Sequence, residues 1–173
     1  MPSTADGDVP PTVTPALTVA VPDEAALAPL ARRLVAAMPA RAVVALEGDL
    51  GAGKTTFVKA VAAAMGIDPT EVVSPTFGLI HVHDLPAARD RPTPEVPERL
   101  VHADLYRLSA AGDLAEIGWE DATAGLCWVF VEWPSRAPKA LPADRLDIAI
   151  SIDSETARTF QFTPRGAFML ASW

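Results

Sequence analysis

The feature that most constrains this chain is an unbroken apolar run, Ala42-Val43-Val44-Ala45-Leu46, that leads within two residues into Gly48-Asp49-Leu50-Gly51-Ala52-Gly53-Lys54-Thr55. Five apolar residues in a row, rich in valine, suit a strand buried on both faces of a sheet rather than one with a wet side. Beyond Lys54 the apolar residues change period: Phe57, Val58, Val61, Ala64 and Met65 share one helical face, and Gly66 stands where a C-terminal cap is expected. A strand, a glycine-rich turn and a helix in immediate succession restrict the fold to the α/β class. They also restrict the use of the turn. Glycines let the backbone approach phosphate oxygens closely, a lysine adds a point charge, and the threonine hydroxyl is a ligand for Mg²⁺. The helix starting at Lys54 contributes its positive end. A chance match to this pattern in a chain of this length is on the order of one per cent. ATP binding is therefore the first expectation, with Gly48, Gly51, Ala52, Gly53, Lys54, Thr55 and Thr56 as the nucleotide contacts.

The rest of the chain fits around that unit. Residues 1–16 are rich in Pro, Thr, Asp and Gly without periodicity and are read as a disordered tail, leaving 17–173 as one domain. Leu17–Val21 is expected to be a strand. Pro22-Asp23-Glu24 opens a helix whose apolar positions Leu27, Leu30, Ala31, Leu34, Val35 and Met38 form one face. Pro29 falls inside it, as a kink or as part of the true first turn. Two alternating segments, Gly78–Leu85 and Arg99–Leu108, read as antiparallel half-buried strands joined by the proline-rich Pro86–Glu98. A short helix is expected around Asp113–Glu120. Cys127–Val131 is a second fully buried strand, and Leu146–Ile152 with Thr159–Phe162 form a last pair. The expected architecture is a three-layer α/β sandwich, P-loop NTPase-like, with a mixed sheet.

Charge and composition exclude other classes. The net charge is −8, from 14 Lys+Arg and 22 Asp+Glu. A protein that gripped nucleic acid by itself would carry the opposite balance, so direct DNA binding is not expected. The single Cys127 forms no internal disulfide and, in its apolar run, reads as a small buried hydrophobe. No apolar stretch reaches membrane-spanning length and the first residues lack a signal-peptide pattern, so the reading is cytoplasmic.

Hydrolysis needs a carboxylate to hold Mg²⁺ or orient water. Glu132 follows the buried strand at its carboxyl end, where ligands sit in open α/β sheets. Asp104 lies in His102-Ala103-Asp104-Leu105-Tyr106-Arg107-Leu108. There it is either a catalytic acid or a solvated residue sharing a polar face with His102 and Tyr106 at period two. Ser74-Pro75-Thr76-Phe77 is either a sensor segment near the γ-phosphate or an ordinary turn. Trp133 either covers the nucleotide or fills the core.

Taken in order, Gly48–Phe57, Ser74–Phe77, His102–Leu108 and Glu132-Trp133-Pro134, with the helix opening at Val21–Glu24, resemble the TsaE family, the bacterial ATPases of tRNA threonylcarbamoyladenosine biosynthesis. The resemblance implies Thr55 and Glu132 as Mg²⁺ ligands, Asp104 as a residue needed for hydrolysis, and Ser74 and Thr76 as a switch near the γ-phosphate. It also implies Asp23 at the nucleotide's edge. It further implies association with the TsaB–TsaD complex that modifies adenosine 37, so that tRNA is met only indirectly. No arginine finger is evident, and hydrolysis is expected to be slow without a partner. Two other readings use the same loop: a small-molecule kinase, with Arg89, Arg91 or Arg99 on a lid, and an ATP-dependent clamp in which hydrolysis is incidental. The long Pro86–Glu98 connection and the N-terminal tail depart from the family pattern.

Overall fold

A computed structural model describes residues 16–75, 79–86, 96–109, 113–171 and 173. The tail to residue 15, Thr76 to Gly78 and most of the Pro86–Glu98 connection lie outside the described residues.

Seven strands form one mixed sheet in the order β1-β7-β6-β2-β5-β4-β3. They are β1 (Leu17–Val21), β2 (Ala42–Glu47), β3 (Ile80–Asp84), β4 (Arg99–Asp104), β5 (Cys127–Glu132), β6 (Arg145–Ile152) and β7 (Arg158–Arg165). The apolar run Ala42–Leu46 is the central strand: β2 pairs in parallel with β5 on one side and β6 on the other. The sheet is parallel from β6 to β4 and closes with antiparallel pairs at both ends, β3 on β4 and β7–β1 on β6.

Side-chain parity sorts the core into two halves. On β5, Trp128 and Phe130 point to one face, where α1 (Leu27–Ala37) and α2 (Lys54–Ala64) cover the sheet. Cys127, Val129 and Val131 point to the other. That second face is covered by Leu105 and Leu108 beyond β4, by Leu114 of α3 (Asp113–Glu116), by Ile117, Trp119 and Ala122 around α4 (Trp119–Ala122), and by Ala137, Ala140 and Leu141. One helix was expected over Asp113–Glu120. Gly118 instead takes a left-handed conformation (φ 72°) and splits the segment into two single turns.

The helix starts are as legible as the strands. Asp23 caps a 3₁₀ turn, its carboxylate accepting from the Ala26 amide at 3.0 Å, and α1 follows with Pro29 in its first turn, where no N–H is missed. α2 ends at a left-handed Gly66 (φ 86°) with the Ile67 amide bonded to Ala62 O and the Gly66 amide to Ala63 O, a Schellman cap.

The strand expected to run from Arg99 to Leu108 stops at Asp104, and Tyr106 belongs to the turn beyond it. From Leu100 to Asp104 every residue is buried. The reading of Asp104 as a solvated residue, on a polar face shared with His102 and Tyr106, is therefore incorrect. Inward polar groups at a site mimic the alternation of a wet strand face.

Candidate functional site

β2 delivers the chain into Gly48–Gly53, where three positions favour glycine. Gly51 (φ 80°) and Gly53 (φ 100°) adopt left-handed conformations, while a Cβ on Gly48 would stand 2.8 Å from the Ile150 carbonyl oxygen. Gly53 is the N-cap of α2, so the helix begins with Lys54 aimed back over the loop. The lysine is 5% exposed, and its Nζ donates to Gly48 O (2.6 Å) and Asp49 O (3.1 Å). It also lies 4.1 Å from the centroid of the Trp133 ring. Burial pushes its ammonium below the ordinary lysine range, against the opposing pull of Glu132, Asp104, Glu47 and Asp49.

The acids arrive by register. Asp104 and Glu132 are the last residues of β4 and β5 and stand side by side in the parallel ladder. Both are 4% exposed and share parity with the strand positions that face α2. The Thr55 hydroxyl donates to Glu132 Oε1 at 2.6 Å across 77 residues of sequence. Asp104 accepts the Tyr106 amide at 3.0 Å, and its second oxygen lies 3.5 Å from Ser74 Oγ. Trp133 follows Glu132 in a left-handed conformation (φ 56°) that a bulky residue adopts only under constraint. That kink lays its ring against both Lys54 and Tyr106, the latter at 4.9 Å between centroids. Trp133 thus covers the phosphate-loop lysine rather than filling the core.

Two cavities flank the loop. One, of about 440 Å³, is lined by Lys54, Thr55, Ser74, Asp104, Glu132 and Trp133 among others. The second, of about 500 Å³, lies between the loop, the Asp23 turn and the β6–β7 hairpin. Thr56 borders both. Asp23 borders the second, though its carboxylate is engaged in capping. Thr76 falls outside the described residues.

Two arginines escape sequence reasoning. Arg158, at the start of β7, donates through Nε to Ala52 O (3.2 Å) and through Nη2 to Gly51 O (3.3 Å), pinning the loop from the hairpin. No local motif marks it, because the contact spans more than 100 residues. Arg107 lines the acidic cavity; it stands in the segment Asp104-Leu105-Tyr106-Arg107-Leu108, where no arginine is expected from the sequence to serve the site.

A loop shaped by its glycines, a buried lysine over it and a helix start beneath it share one common use, the holding of polyphosphate. Set on a mixed α/β sheet at the carboxyl end of its central strand, they define a P-loop nucleotide-binding protein. The comparisons with known proteins narrow the class. The family model described as threonylcarbamoyl adenosine biosynthesis protein TsaE matches residues 21–160. The Bacillus subtilis protein named tRNA threonylcarbamoyladenosine biosynthesis protein TsaE is 37% identical over 125 residues, covering 72% of this chain and 70% of that one. Proteins of the same name from Streptomyces coelicolor and Treponema pallidum are 37% identical over 121 residues and 36% over 110. They cover 70% and 64% of this chain, and 76% and 73% of their own length. The crystal structure of Bacillus subtilis YdiB superposes with a TM-score of 0.63 at 28% identity, covering 88% of this chain and 87% of that one. The chain belongs to the TsaE family.

Proposed function

We propose that this protein is a Mg²⁺-dependent ATPase that serves tRNA threonylcarbamoyladenosine biosynthesis with the TsaB–TsaD complex, in the cytoplasm. One observation carries the hydrolytic part: the 2.6 Å bond from Thr55 Oγ1 to Glu132 Oε1 beside Lys54, with Asp104 the register neighbour of Glu132. These are hard oxygen donors, the type that Mg²⁺ prefers. Among the described residues no cluster of three His, Cys, Asp or Glu side chains forms a metal cage. A two-oxygen site fits an ion that takes its remaining ligands from phosphate and water.

In this reading Lys54 leaves the carbonyls of Gly48 and Asp49 for the β- and γ-phosphates, gaining a full charge as partner. Glu132 holds the Thr55 hydroxyl proton, which keeps a threonine lone pair directed outward. Mg²⁺, when bound, neutralises charge that develops on the phosphate oxygens. Asp104, fixed by the Tyr106 amide, orients the attacking water, and Ser74, whose Oγ lies 3.5 Å from the Asp104 carboxylate, reports the γ-phosphate. Thr76 completes that switch in the family pattern. The second cavity suits the nucleoside, with Asp23 at its edge.

The kinase reading finds no support at Arg99, which begins β4 at the end remote from Asp104 and donates to the Ala124 carbonyl; Arg89 and Arg91 lie outside the described residues. The decisive measurement is ATP turnover with and without purified TsaB–TsaD. A slow basal rate that the complex changes several-fold, and that hydroxyl-bearing small molecules leave alone, is expected. Indifference to the complex would overturn the partner assignment.

A further inference from the structure

His102 occupies the interior of β4 with no exposed surface, between the apolar Val101 and Ala103. A buried imidazole is retained in such a place only if its hydrogen bonds offset the desolvation. Its Nε2 lies 2.7 Å from Glu132 Oε1. An ionised carboxylate only accepts, so the proton of this bond sits on Nε2. The same Oε1 accepts the Thr55 hydroxyl. Two donors, one from β4 and one from α2, thus converge on a single oxygen of the carboxylate. The other imidazole nitrogen, Nδ1, is buried with no hydrogen-bond partner among the described residues. An unpaired nitrogen in the core is a standing cost that an apolar side chain would avoid.

The bond to Glu132 is not needed to align the strands. β4 and β5 already pair continuously from Arg99↔Cys127 to Asp104↔Glu132, and His102 faces Phe130 in that ladder, two places before the glutamate. The imidazole reaches forward along the strand to the one acid beside the phosphate loop that Thr55 also touches.

We infer that His102 is a positioning residue for the metal carboxylate. It fixes the Glu132 head group so that Thr55 and Glu132 present a prearranged oxygen pair to Mg²⁺. The inference rests on the reading of those two residues as Mg²⁺ ligands. Groups that orient a ligand in this way usually contribute tenfold to a hundredfold to metal affinity or activity.

The test is the Kd of a non-hydrolysable ATP analogue, measured with Mg²⁺ and with EDTA, for the wild type, His102→Ala and His102→Gln. The glutamine places an N–H near the position of Nε2. The tightening given by Mg²⁺ is expected to shrink about tenfold or more in His102→Ala. The EDTA value should be unchanged, and His102→Gln should regain most of the effect. Mg²⁺ tightening of wild-type size in His102→Ala overturns the inference. So does an equal weakening with Mg²⁺ and with EDTA, which is what a merely structural role predicts. If His102→Ala does not fold, His102→Asn takes its place, because the shorter amide does not reach the position of Nε2: shrunken tightening there, regained in His102→Gln, supports the inference, and tightening of wild-type size overturns it. A wild type without Mg²⁺ tightening removes the Mg²⁺ reading itself, a result distinct from loss confined to the His102 variants.

Discussion

The two sides of the phosphate loop are built by different means. Toward β4 and β5 the loop meets charged side chains, Asp104 and Glu132, carried on strand ends buried on both faces. Toward β7 and β1 it meets a cavity bordered by a 3₁₀ turn, an edge strand and a hairpin, and a long-range tether there, Arg158, grips backbone carbonyls. The first side needs atoms held to a fraction of an ångström, which only a paired central strand guarantees. The second needs a shape of about 500 Å³ and tolerates looser elements. On the proposed reading, chemistry and grip fall on different sides of the loop.

The largest expected effect lies on the acidic side. Glu132→Ala removes the acceptor of the Thr55 hydroxyl and of His102. Saturated ATP turnover should fall by about a hundredfold or more, while the nucleotide Kd in EDTA stays within about twofold. Normal turnover in that variant would remove Glu132 from the mechanism.

The intermediate effect lies on the other side. Arg158→Ala releases the Gly51 and Ala52 carbonyls, so the loop must order itself on binding. Nucleotide affinity should weaken about tenfold, with or without Mg²⁺, and turnover at saturation should hold. Rapid-mixing kinetics on the two variants would then give opposite patterns in kcat and KM. If Arg158→Ala lowered kcat as far as Glu132→Ala does, the two sides would form a single unit.

This division also sets what was legible in the sequence. Local features read directly: the Ala42–Leu46 run, the glycines of the loop, the Gly66 cap and the buried strand before Glu132 all depend on residues within a few places of one another. The order of the strands does not, because β1 joins the sheet on β7 through pairings more than 100 residues apart. Arg158 was invisible for the same reason. Asp104 was ambiguous because a strand that ends at a site carries polar residues at period two, as a solvated face does. Asp23, expected at the nucleotide's edge, borders the cavity beside the loop and also caps the turn before α1 through the Ala26 amide.

The smallest effect concerns Lys54, which stands between the two sides. Burial holds its ammonium below the ordinary lysine range in the nucleotide-free protein. Phosphate favours the charged form, so bound nucleotide raises that pKa again. Well below the free-protein value the lysine is protonated in both states and affinity does not vary through it. As pH rises through that value, binding must take up a proton, and the Kd weakens. The decline should begin below about 10.4, where a solvated lysine titrates. Calorimetric titration in buffers of different ionisation enthalpy reads the proton uptake directly. Lys54→Arg remains charged throughout and should flatten the curve. A wild-type curve as flat as that of the arginine variant would show that the carboxylates around Lys54, and not its burial, set its charge.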